Sequence, residues 1–133
     1  MAQTQSPTEE GYNEISKLMA GEAASAVKSI VCLKTSCTAD EDQTAVGITK
    51  STESGLTLVN ADSVKTVKTH ADNDTVQVDH VFTAGEAATV KGFAVLNDDD
   101  DVVFGVCCFA ADVPLESGDK VTDQMKIQTK KGS

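Results

Sequence analysis

Four cysteines, two histidines and a run of four aspartates are the residues of this chain whose types could do chemistry. Cys32 and Cys37 are separated by four residues, and Cys107 and Cys108 are adjacent. A tetrahedral zinc site needs tight cysteine pairs whose thiolates converge. Neighbours on a strand point to opposite faces, so Cys107 and Cys108 cannot share a metal without a bulge. Buried apolar thiols are therefore expected, with Cys37, in a polar loop, best placed for a disulfide between chains. Asp98, Asp99, Asp100 and Asp101 could gather a hard cation. Calcium needs six to eight oxygens from a loop that folds round it, and the EF-hand spacing with its central Gly and distant Glu is missing. A solvated acidic loop tip is the expectation, with weak calcium binding by these four as the alternative. His70 and His80 are the only imidazoles. A hydrolytic triad also needs a nucleophile and an orienting acid, and no serine sits in a nucleophile-elbow sequence. His80 falls among apolar positions and reads as a packed core or interface histidine. No phosphate loop of the GxxxxGK[ST] or GxGxxG type occurs. These residues predict no enzyme, no resident metal and no cofactor.

The elements that position them follow from periodicity. Residues 1–5 read as a polar arm. Ser6-Pro7-Thr8-Glu9 predicts a helix start, with Ser6 as N-cap, Pro7 in the first turn and Glu9 reaching back. Ile15, Leu18, Met19, Ala23, Ala26 and Val27 recur at spacings of three and four, so a helix over 7–26 has one apolar face. Gly11 and Gly21 oppose it, each by about 1 kcal/mol. The period then changes to two. Strands are predicted over 29–35, 56–59, 63–69, 74–83, 89–96, 102–109 and 120–129. A polar loop spans 36–55, with an extended piece near Val46 and Ile48. In the 74–83 strand Val76, Val78, His80 and Phe82 share the inward face. In the last strand Val121, Asp123, Met125 and Ile127 face in, while lysines on the outer face protect a sheet edge. The 89–96 and 102–109 strands are apolar on both faces, which places them at a sheet centre, joined by an acidic hairpin loop over 97–101. Pro114 is expected to break the next segment. One helix and about seven strands predict a mainly β chain: an antiparallel β-sandwich or jelly-roll-like domain with one N-terminal helix. Residues 1–28 form the arm and helix, and 29–133 the sandwich, as one compact unit.

Composition bounds the partners. The 133 residues suit one domain large enough to fold without a metal or disulfide. Twenty-one acidic residues against eleven basic ones give a net charge of −10, and every basic residue is lysine. Without arginine, and with this acid excess, neither nucleic acid nor an anionic membrane is an expected partner. The acid excess reads first as a solvated, soluble surface, with an acidic face that meets a basic partner as the alternative. No apolar run reaches the length of a membrane helix. Met1 to Ser6 lacks the basic start and apolar run of a signal peptide, which predicts synthesis in the cytoplasm, where thiols stay reduced.

The order of segments also carries a resemblance. Asn13-Glu14-Ile15 through Ala26 precedes a strand over Ser29 to Thr35. A variable loop leads to Gly55-Leu56-Thr57, and Asp74-Thr75-Val76 opens a strand ending Val81-Phe82-Thr83. Thr89-Val90-Lys91-Gly92-Phe93-Ala94-Val95-Leu96-Asn97 comes next, followed by an acidic turn. Val103-Phe104-Gly105-Val106-Cys107-Cys108-Phe109 then precedes Val113-Pro114-Leu115-Glu116-Ser117-Gly118-Asp119-Lys120-Val121. Over roughly residues 13–128 this resembles a group of small virion structural proteins of tailed phages and archaeal tailed viruses, some of them tail or fibre proteins. The adjacent cysteines, the four-Asp turn and the lack of arginine depart from that pattern. The resemblance implies a non-enzymatic virion protein, made in the host cytoplasm, whose partners are capsid or tail subunits and copies of itself. A capsid decoration or cement protein is the leading expectation. A tail, baseplate or fibre-attachment protein comes second, and a calcium- or glycan-binding adhesive domain third. Ile15, Leu18 and Met19 on the helix are the candidate interface, the alternative being that they pack on their own sandwich.

Overall fold

The structure is a computed structural model that describes residues 3–34, 44–45, 47–69, 72 and 75–128. His70, Cys37 and Val46 lie outside the described residues, as does Asp74 at the head of its expected strand. The elements run β1 (Gln3–Pro7), α1 (Glu9–Ala20), β2 (Val27–Leu33), β3 (Val59–Asn60), β4 (Ser63–Val67), β5 (Thr75–Thr83), β6 (Ala88–Asn97), β7 (Val103–Leu115) and β8 (Lys120–Gln128). They form two antiparallel sheets, ordered β1-β7-β6-β2-β3 and β4-β5-β8. The chain is mainly β, with one N-terminal helix among the described residues and a sandwich-like pair of sheets, as the period-two runs predict.

Alternation assigns the core. Ile30 and Cys32 of β2, Phe93 and Val95 of β6 and Cys107 of β7 face Val78 and Phe82 of β5 and Met125 and Ile127 of β8. The intervening residues Val31, Leu33, Ala94, Leu96, Val106 and Cys108 build a second apolar layer on the far face of the larger sheet, closed by Ala45, Ile48 and Leu58. The connection after β2 thus covers a sheet face, and this is why β6 and β7 are apolar on both sides. Cys107 and Cys108 fall in opposite layers, as adjacent strand residues must. The expectation of reduced thiols needs correction at one position: Cys108 is disulfide-bonded. Cys32 is a buried free thiol.

The N-terminus departs from expectation. Gln3–Pro7 is not a loose arm but an edge strand, paired from Gln3 opposite Phe109 to Pro7 opposite Gly105. A run of Gln, Thr and Ser has no apolar alternation to betray a strand, and its order comes from the central strand beside it. Extended backbone at Ser6 and Pro7 moves the helix start to Thr8. Its hydroxyl accepts from Gly11 N–H at 3.0 Å and donates to the Val103 carbonyl. The helix ends at Ala20 rather than 26, because Gly21 adopts φ 75° and closes a left-handed cap with N–H bonds back to Leu18 and Lys17 carbonyls. Gly11 has a different reason. A Cβ there would stand 2.7 Å from Phe104 Cα, so glycine lets α1 lie against the β7 backbone.

Two strand boundaries also differ. Pro114 does not break β7, which pairs Pro114 with Thr89 and continues to Leu115. Among the described residues nothing pairs with the β1 side of β7 beyond Phe109, so a residue without N–H loses no ladder bond there. Leu56 is fully buried but precedes the two-residue β3 rather than lying in a strand.

Candidate docking groove

One face of α1 is fixed by carboxylates. Glu10 Oε1 accepts from Val103 N–H at 2.7 Å and Ala45 N–H at 3.0 Å. Buried Glu14 accepts from Ser25 N–H at 2.9 Å and from Asn97 Nδ2 at 3.4 Å. These bonds satisfy the backbone donors of Val103, Ala45 and Ser25 and tie the helix to the β6–β7 hairpin through Val103 and Asn97.

The next face of the helix is not sealed. Ile15 and Leu18 form one wall of an open cavity of about 240 Å³, and Ala26 and Val27 continue it. Val64, Val76 and Ile127 of the smaller sheet form the opposite wall, with Phe104 from β7. A register shift between Val95 and Leu96 skips Phe104, breaks the alternation and turns its ring into this space. Leu18 and Val64 are 41% and 42% exposed, and Met19, one residue along, is 85% exposed. Of the three residues singled out from sequence, Ile15 and Leu18 therefore line the groove, while Met19 projects into solvent outside it. The far wall was not foreseeable from local pattern, since β4, β5, β7 and β8 converge only in the folded chain. The rim near Ala26 is acidic: Asp98 N–H donates to Ala26 O at 3.1 Å, and Asp99 accepts from the Ser25 hydroxyl. The carbonyl end of α1 points the same way in charge. The groove presents apolar surface, aliphatic but for the Phe104 ring, beside the Asp98–Asp99 turn, which suits binding an apolar group.

The aspartate run is dispersed. Asp98 pairs with Lys28 at 3.5 Å, Asp100 with Lys50 at 2.9 Å, and Asp101 accepts from Asn97 Nδ2 at 2.7 Å. With Asp99 on Ser25, the four carboxylates point to four partners, and Asp100 turns the loop with φ 59°. Among the described residues no group of three or more His, Cys, Asp or Glu is arranged to hold a metal ion.

The other polar feature is internal. Asp123, 2% exposed, lies directly across the β5–β8 ladder from His80. Its Oδ2 has no hydrogen-bond partner among the described residues, and burial pushes its carboxyl up to about 7. Burial, with the Asp123 charge adding to it, pushes the Cys32 thiol well above the ordinary range, so Cys32 is no nucleophile. His80 packs edge-on against Phe82 at 4.4 Å and brings Nδ1 to 3.1 Å from Asp62 Oδ1. That approach has ion-pair distance without hydrogen-bond alignment, so it binds only when the imidazole carries its proton. The reading of His80 as a packed histidine holds for its ring. Its nearness to two carboxylates comes from the turn before β4 and from the β8 register.

Compared with known proteins, the chain matches no family model, no curated protein and no solved structure.

Proposed function

We propose that this protein is a non-enzymatic assembly subunit of a virion, a capsid decoration or cement protein that docks through α1 and the groove beside it. The observation that carries the reading is the open apolar groove between α1 and the smaller sheet, with Leu18 and Val64 exposed on its walls and Met19 exposed beside it. The segment order that resembles small virion proteins supports it. The occupant that fits is an aliphatic side chain of a capsid subunit, next to lysine or arginine, because the walls are apolar and the rim and net charge are negative. Burying one such side chain stabilises docking by about 1.5–3 kcal/mol. Contacts shared across a subunit junction add to this through multivalency. A subunit seated across such junctions holds the shell against the pressure of the packaged genome.

The test uses particles made with and without the protein. Particles lacking it are expected to release their genome at lower temperature, and added protein is expected to restore the difference. Equal heat resistance with and without it would overturn the cement role. Binding to isolated tail or baseplate subunits and not to capsids would move the protein to the tail.

A further inference from the structure

We propose that Asp123 is a proton-gated latch on edge strand β8: as the neutral acid it lets β8 close on the core, and once ionised it parts the strand from the core around it. This inference does not depend on the docking reading. Three observations carry it. The carboxyl is almost wholly buried between the sheets with an unpartnered oxygen. Among the described residues it belongs to a strand paired on one side only, since β8 ends the order β4-β5-β8. And it stands directly opposite an imidazole that already faces a second carboxylate.

The groups around Asp123 decide the sign. From β5 comes His80, and behind it Asp62 from the turn before β4. From β2 comes the neutral Cys32 thiol, and Cys107 of β7 faces the same layer. The rest of that layer is apolar, including Phe82, Phe93 and Val95, and Met125 is the next inward residue on β8. No ion pair among the described residues includes Asp123. A neutral carboxyl is tolerable in such a layer, whereas an ionised one is strongly disfavoured. When the proton leaves to solvent, β8 opens to admit water and so relieves the charge. An edge strand opens by breaking a single ladder, so β8 yields before any central strand.

Opening therefore releases one proton, and linkage fixes its pH dependence. Hydrogen exchange of the β8 amides, corrected for the intrinsic rate, is the experiment. The opening constant around Asp123 is expected to rise by up to about tenfold per pH unit between about pH 5 and 7 and then to level off. Amides of β6, which open only with the whole chain, are expected to share this slope but to open far less often than those of β8 at every pH, and equal opening constants in the two strands would overturn the latch. In Asp123→Asn the β8 dependence disappears. A flat β8 profile in the wild type, or an unchanged slope in Asp123→Asn, would overturn the latch. Should that variant fail to fold, the wild-type Asp123 carboxyl carbon can be followed directly by NMR. A midpoint near neutrality supports the latch, and a midpoint near 4 refutes it.

Discussion

At Asp123 the pH dependence of stability has a definite sign. Burial raises its folded carboxyl from 3.8 to about 7. The folded chain thus holds a proton that the unfolded chain has released, and stability falls as pH rises between these values. The penalty is absent below about 4 and complete above about 7, amounting to about 2–4 kcal/mol. Asp123→Asn is expected to gain that amount at pH 8 and little at pH 4, as urea denaturation at the two pH values will show. The inward position of Asp123 was legible, because Val121, Met125 and Ile127 share its face. Its isolation was not, because that depends on what β2 and β5 place around it. Gly11 makes the complementary case. Helix propensity alone favours Gly11→Ala by about 1 kcal/mol. The 2.7 Å approach to Phe104 Cα reverses this, and the substitution is expected to destabilise by about 1–3 kcal/mol in the same assay.

Helix α1 joins the fold's local signals to its candidate site. Its apolar spacing was readable, and so was a helix start within two residues of the true one. The cap itself was misplaced, because Ser6 and Pro7 are held extended by pairing with β7, a long-range contact with no local signature. Thr8→Ala removes both the cap and the hydroxyl bond to the Val103 carbonyl. It is expected to cost about 1–2 kcal/mol in thermal or chemical unfolding. Strand β7 teaches the same lesson, since Pro114 reads as a breaker until its outer side proves unpaired. The groove lies at the limit of sequence reading. One wall was visible as Ile15 and Leu18, while the other needed β4, β5, β7 and β8 to meet.

The whole molecule carries a net charge of −10 on a small sandwich. Self-repulsion opposes the compact state and is screened by salt, so raising ionic strength is expected to raise the melting temperature of the isolated chain. The same salt is expected to weaken docking on a basic partner. Cys108 is disulfide-bonded, and a reducing agent is expected to lower stability by about 2–4 kcal/mol in calorimetry. None of these measurements asks whether the groove is where the protein works. Co-sedimentation with particles that lack the protein does, comparing the wild type with Leu18→Asp. Leu18 is 41% exposed on the groove wall, so the charge can be carried without unfolding the chain, which an unchanged melting temperature would verify. Docking through the groove predicts that the wild type pellets with the particles and that Leu18→Asp loses about ten- to a hundredfold in affinity. Equal binding by a folded Leu18→Asp would contradict it.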